Sequence, residues 1–213
     1  FAAPPEQSLE WSADGVEGAS RFLKRLWRQV FLHVAQTQGQ RFTRQGELSP
    51  EQKAVRRQLH QTIQKVTHDM GVRTIFNTAI AANMELLNTL AKFTDESHNA
   101  NAIRHEMLEA ITLMLSPIVP HICDQLWREL GHDNAIICQP WLVVDDNALT
   151  QESLEMMVQV NGKLRGKIAV SASATNADIE TAALNDHVVE KFIDGQAVKK
   201  VIIVPKKLVN IVI

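Results

Sequence analysis

The sequence predicts a mainly α protein with a small α+β tail: an antiparallel α-helical bundle, then a β-β-α-β-β domain with helices packed on a four-stranded sheet. Three observations carry this. Up to about residue 130, apolar residues recur at the 3.6-residue spacing of amphipathic helices. From about residue 154, they gather into short Val- and Ile-rich runs of strand character. Between the two, 131–153 holds Gly131, Pro140, Trp141 and the acidic pair Asp145-Asp146, and reads as an extended connector packed in part by Trp141. The expected organisation is a bundle over 1–130, a connector over 131–153 and a tail domain over 154–213.

In the first helix, Ala19, Phe22, Leu23, Leu26, Trp27, Val30, Phe31 and Val34 form one apolar stripe, and Asp14 with Glu17 supplies a capping start. The opposite face carries Arg21, Lys24, Arg25 and Arg28 at helical spacing. Ser49-Pro50-Glu51-Gln52 starts a second helix: Ser49 caps, Pro50 suits the first helical position and Gln52 closes a capping box. Its stripe is Val55, Leu59, Thr62, Ile63, Val66 and Met70, with Arg56, Arg57, His60 and Gln64 off it. Further helices are predicted over about 74–93, 101–115 and 118–130. Pro117 and Pro120 separate the last two, and Gly131 ends the fifth.

In the tail, Asn161-Gly162 between two Val-rich runs signals a hairpin. A two-residue turn pairs Val160 with Lys163, which sets apolar against charged. Matching Val160 to Leu164 requires a three-residue loop or a bulge, and the bulge is favoured because it lets both strands bury one apolar face. Thr175 or Asn176 caps a helix carrying Ile179, Ala182, Ala183 and Leu184. A short helix over 187–193 starts near Asn185-Asp186 and stops at Gly195. Strands over 198–204 and 208–213 flank Pro205-Lys206-Lys207.

Composition bounds the function. The 213 residues are 45% hydrophobic and 22% charged, ordinary for a folded domain pair. No apolar run reaches the roughly 18–20 residues of a membrane span, so no membrane partner is expected. Two cysteines, Cys123 and Cys138, make no disulfide framework, and a reducing cytoplasmic setting fits. The opening Phe1-Ala-Ala-Pro-Pro5 reads as a fragment boundary. The net charge of −2 hides a segregation: residues 21–73 carry eleven Lys/Arg against three Asp/Glu, and residues 74–152 carry three against eleven. Such segregation makes local fields that the sum conceals.

Catalytic and metal chemistry find no support. His121, Cys123 and Cys138 lack the paired spacing of a four-ligand zinc site. No nucleophile elbow or phosphate loop follows a strand, and Gly15-Val16-Glu17-Gly18 reads as a helix entry. His60, His68, His98 and His105 read as surface histidines. Cations on shared faces are the remaining candidates, because phosphate binding needs only positive charge in register. They are Arg21, Lys24, Arg25 and Arg28 on the first helix, extended by Arg56, Arg57 and Arg73. In the tail, Lys163, Arg165 and Lys167 alternate along one strand and so share a face, with Lys199, Lys200, Lys206 and Lys207 near the closing strands. The lone tail aromatic, Phe192, reads as core, so contacts to RNA backbone are expected rather than stacking. The rival reading is a protein-interaction module that uses the acidic half of the bundle.

Several runs resemble a known family. Glu6-Gln7-Ser8-Leu9-Glu10-Trp11 with Gly15-Val16-Glu17-Gly18-Ala19-Ser20-Arg21-Phe22-Leu23 is similar to the segment following the catalytic domain of class I aminoacyl-tRNA synthetases. Phe76-Asn77-Thr78-Ala79-Ile80-Ala81, Leu115-Ser116-Pro117-Ile118-Val119-Pro120-His121-Ile122 and Leu126-Trp127 resemble the helical anticodon-binding domain of the leucyl, isoleucyl and valyl members. Val158-Gln159-Val160-Asn161-Gly162-Lys163-Leu164-Arg165-Gly166-Lys167-Ile168 and Val201-Ile202-Ile203-Val204-Pro205 before Leu208-Val209-Asn210 look like the small C-terminal domain of the bacterial leucyl members. The resemblance implies a ligase joining leucine to tRNA(Leu). Its ATP- and Mg-using catalytic domain and its editing domain would belong to the same polypeptide, upstream of Phe1. This chain would then dock the tRNA body and corner, with no catalytic residue, metal or cofactor of its own.

Overall fold

Ser12, rather than Asp14 with Glu17, starts the first helix: its side chain accepts from the Gly15 N–H at 3.1 Å in an extended backbone. Helix α1 (Ala13–Thr37) ends where Gln38 turns left-handed and Gly39 N–H reaches back to Val34 O. The structure is a computed structural model and describes residues 8, 11–150, 153–172, 174–194, 196–205 and 207–213. The Glu6–Glu10 part of the opening motif therefore lies outside the described residues, save Ser8. The buried line of α1 is Phe22, Leu26, Val30, His33 and Thr37. Trp27 and Phe31, expected in the core, are 38% and 37% exposed and stack on each other with centroids 4.9 Å apart. The stripe closes through polar residues because each finds a partner: Thr37 Oγ1 donates to His33 O, and His33 Nε2 lies 3.2 Å from His105 Nδ1.

Helix α2 (Pro50–Gly71) carries the predicted capping box. Gln52 also donates to Asp95 and Ser97, so the start of α2 is tied to the residue that caps α4. Helices α3 (Phe76–Lys92), α4 (His98–Leu115) and α5 (Pro120–Glu129) complete the bundle. Ser97 starts α4 earlier than the apolar pattern suggests. α4 packs against α1, α2, α3 and α5, and its Ile103, Met107, Leu108 and Ile111 are wholly buried.

The chain divides into compact units Phe1–Leu149 and Thr150–Ile213. The stretch after Gly131 belongs to the first. Past a 3-10 turn (Ile136–Cys138), Trp141 Nε1 donates to Thr67 Oγ1 at 2.8 Å, and Trp141, Leu142 and Val144 pack on the bundle core. A one-turn helix α6 (Asp146–Leu149) follows. None of the described helices is long and apolar enough to cross a membrane.

The second unit has strands β1 (Ser153–Val160) and β2 (Lys163–Ser171), helices α7 (Asn176–Leu184) and α8 (His187–Ile193), then β3 (Lys200–Val204) and β4 (Leu208–Val212). The sheet order is β2-β1-β4-β3, with β1 and β4 parallel and the other pairs antiparallel. Thr175 and Asp178 form a capping box on α7, and Asp186 caps α8. The expected stop at Gly195 lies outside the described residues; the left-handed residue after α8 is Asp194. One face of the sheet is buried through Met156, Val158, Val160, Ile168, Val170, Val209 and Ile211, packed with Ile179, Ala183 and Val189 of the helices.

The hairpin resolves its register differently from expectation. Asn161 and Gly162 both have positive φ, 49° and 76°, so the turn has two residues and Val160 does pair with Lys163. The bulge lies farther along β2: Gln159 pairs with Leu164 and Val158 with Gly166, leaving Arg165 as the extra residue. The two-residue turn leaves Leu164 outward, 57% exposed, and the single insertion then returns Ile168 and Val170 to the core face.

Candidate nucleic-acid interface

Arg21, Lys24, Arg25 and Arg28 are all exposed on α1, on one flank as predicted. Arg21 pairs with Glu17 at 2.7 Å, a pair two-thirds exposed on both sides and so energetically minor. Arg25 donates to Asn88 on α3. Lys24 and Arg28 have no polar partner among the described residues. Lys24 also borders an apolar groove of about 430 Å³ lined by Val16, Ala19, Leu23, Trp27 and Ile122.

On α2 the expectation fails for Arg56. It is 7% exposed and spent inside the bundle. Its Nε and Nη2 donate to Glu106 on α4 at 3.0 Å each, and Nη2 also donates to Asp145 at 2.8 Å. Arg57 is half-buried. Arg73 is paired with Asp69, which also accepts from Lys65 and Thr78. Arg56 thus ties the basic stretch to the acidic one across helices, while the Asp69 pairs lie within the basic stretch. Burial would raise the Glu106 carboxyl, but hydrogen bonds from His60 and Arg56 and the charges of Arg56 and Arg44 outweigh it and hold it at about 2. Asp69 is likewise held at about 2 against its burial by Lys65, Thr78 and Arg73.

Two of the supposed surface histidines are interior. His60 is 4% and His105 9% exposed. His60 Nδ1 accepts the Asp145 N–H at 3.1 Å and its Nε2 lies 3.3 Å from Glu106. His105 and His132 share Glu109, and His132 stacks on Trp127 with centroids 3.6 Å apart. Burial, then the charges of His105 and Arg104, lower His33 to about 4. Among the described residues no group of three or more His, Cys, Asp or Glu is placed to hold a metal. Burial pushes the Cys123 thiol up to about 12, while Cys138 is exposed.

In the tail, the bulge corrects the expectation of one face for Lys163, Arg165 and Lys167. Lys163 pairs with the inward Val160, and Lys167 pairs with the outward Met157. Arg165, at the bulge, turns to the helix-covered side, where its guanidinium lies 4.3 Å from the Phe192 ring centroid on α8. Phe192, read as core, is 41% exposed. Sequence reasoning missed this pair; the hairpin's register conflict was the signal for it. Lys200 is exposed beside Val212 on the open face of the far edge strand, three strands from Lys167 and four residues along from Val204, which is in register with Lys167. Between them the open face exposes Met157, Leu164, Ile202 and Val204. The tail cations therefore bracket the sheet rather than merge into one patch. Lys199 and Lys207 are exposed, and Lys206 lies outside the described residues.

A helical bundle followed by a small sheet domain is what the sequence resemblance implies. Residues 52–181 match the anticodon-binding domain of tRNA ligase, and the chain belongs to that family. Within it the likeness is to leucyl members, in agreement with the tail motif. The chain is 56% identical over 214 residues to the leucine–tRNA ligase of Nitrosococcus oceani, and 55% identical over 213 residues to that of Thioalkalivibrio sulfidiphilus. Each alignment covers 100% of this chain and 26% of the relative, so the chain spans about a quarter of the length of the curated relatives it matches. The agnB2 LeuRS of Agrobacterium radiobacter K84, solved in a ternary complex with tRNA and LeuAMS, superposes with a TM-score of 0.73 at 25% identity, over 100% of this chain and 28% of that one.

Proposed function

We propose that this chain is the tRNA-docking part of a bacterial leucine–tRNA ligase. The observation that carries the reading is the unbroken similarity to leucine–tRNA ligases over both units, including the hairpin and closing strands of the tail. The chemistry suits the role. Exposed cations stand on α1 and on the tail, where they can meet phosphates without reading base sequence. The remaining domains of the same polypeptide would activate leucine with ATP and Mg, transfer it to tRNA(Leu) and edit errors, in the cytoplasm. This chain contributes no catalytic group, metal or cofactor to that reaction. Its task is to hold the tRNA body and corner so that the acceptor end reaches the distant active site.

Titration of the chain with leucine tRNA at two salt concentrations tests the reading. For about three phosphate contacts, affinity should fall roughly 20- to 40-fold over a fourfold rise in salt. Replacing Lys163, Arg165 and Lys167 together with Ala should flatten that dependence. Absence of binding, or binding indifferent to salt, would refute the docking role. The acidic side of the bundle is poorly suited as a rival protein-binding surface, because Asp95, Glu106, Glu109, Asp124 and Asp145 already serve internal hydrogen bonds.

A further inference from the structure

The bulge in β2 gives Arg165 an unusual setting. In an unbroken strand it would share a face with Lys163 and Lys167. The extra residue keeps Arg165 with Lys163 on the side of Val158, under α8, adds Gly166 to that side and moves Lys167 to the other. Gly166 fits because it has no side chain: a Cβ there would stand 3.1 Å from Val189 Cγ2 and 3.5 Å from Asp186 Oδ1. α8 is therefore seated directly on the bulge, fixed by the wholly buried Val189 and by Asp186, which accepts from the N–H groups of Val188 and Val189. Phe192 follows Val189 by three residues, so it lies on the same side of α8 and its ring meets the guanidinium.

The guanidinium is held but not satisfied. It stacks on the ring at 4.3 Å, its Nε is buried without a hydrogen-bond partner, and no carboxylate pairs with it among the described residues. Other arginines of this chain whose role is internal, Arg56 and Arg104, each donate to two or more acceptors. A planar cation whose stem is fixed and whose amines are unspent suits a bidentate phosphate contact, and fixing it beforehand removes much of the rotamer entropy lost on binding. Lys163, exposed two residues earlier and on the same side of β2, adds a second positive charge.

We infer that Arg165, stacked on Phe192 by the β2 bulge, is a preset contact for an RNA phosphate, with Phe192 as its positioning residue. This rests on the docking role proposed above, and places one contact of that role on the helix side of the tail rather than on the open sheet.

The test is binding of leucine tRNA to the full chain across a salt series. Arg165→Ala should weaken binding about tenfold and lower the salt slope by about one phosphate contact. Arg165→Lys should keep the slope and lose several-fold in affinity, because it keeps the charge but not the planar fork. Phe192→Leu should likewise weaken binding several-fold at an unchanged slope, and Phe192→Tyr should restore it. Phe192 is 41% exposed, so unaltered circular dichroism and unfolding midpoints are expected to separate these effects from misfolding. Salt-sensitive wild-type binding with an Arg165→Ala variant indistinguishable from it would overturn this inference and leave the docking role standing. Full affinity in Phe192→Leu would overturn the positioning role of the ring. A wild-type chain that fails to bind tRNA would overturn both readings.

Discussion

Replacing Arg56 with Met should destabilise the helical unit by about 2–3 kcal/mol, in a way that depends on pH. Arg56 is the cation between two acids: its side chain is 8% exposed, against 28% for Glu106 and 33% for Asp145. Methionine fills much of the volume and leaves both carboxylates without their main partner. Breaking a fully buried pair costs about 3–5 kcal/mol, and partial exposure of the acids reduces this. The shift of Glu106 from 4.5 to about 2 gives an independent scale. It corresponds to about 3 kcal/mol, only part of which belongs to Arg56, because His60 and Arg44 contribute. For a unit of this size the melting temperature should drop by about 5–10 °C near neutral pH. A depressed carboxyl stabilises above its unfolded pKa, and that stabilisation is lost as pH falls toward the folded value. The difference between variant and wild type should therefore shrink as pH falls from about 4.5 toward about 2. Thermal unfolding followed by circular dichroism from about pH 7 to about pH 3 measures it. A gap of the same size at both ends would show that Arg56 contributes packing rather than charge, and would refute the reasoning.

Three further outcomes follow from the geometry. Gly166→Ala should cost about 1–3 kcal/mol in denaturant unfolding of the tail, because its Cβ would stand 3.1 Å from Val189; an unchanged midpoint would mean that α8 moves freely on the bulge. Mass-spectrometric mapping after brief alkylation should find Cys138 modified and Cys123 protected until the bundle unfolds, since burial raises the Cys123 thiol to about 12. His33, lowered to about 4, stabilises the bundle above its unfolded value of 6.5 and loses that contribution as pH falls toward about 4. His33→Asn should flatten stability across that window, and an identical slope in the variant would assign the acid sensitivity elsewhere.

Features that depend on neighbouring residues were legible in the sequence. The Ser49–Gln52 capping box, the Asn161-Gly162 turn, the Thr175 and Asp186 caps and the order of helices and strands are each written within a few positions. Side chains, backbone donors and rotation about φ settle them locally. The choice of leucyl relatives was equally legible, because the tail motifs are short runs of consecutive residues.

Charge placement was only half legible. Periodicity put Arg21, Lys24, Arg25 and Arg28 on one exposed flank, and the fold keeps them there. It could not show that Arg56 meets Glu106 and Asp145, which lie 50 and 89 positions away. The α1 stripe failed at Trp27 and Phe31 for a related reason: a helical pattern states which residues share a face, and the packing of α4 decides how far round that face is covered. By itself, then, the sequence determined the main elements, several of their caps, the family and the cation-bearing helix. Tertiary structure alone decided which cations stay free, that Lys167 parts from the face of Lys163 and Arg165, and that Arg165 meets Phe192. Ion pairs and a bulge seated under a helix join residues distant in the chain, and local spacing does not encode those contacts.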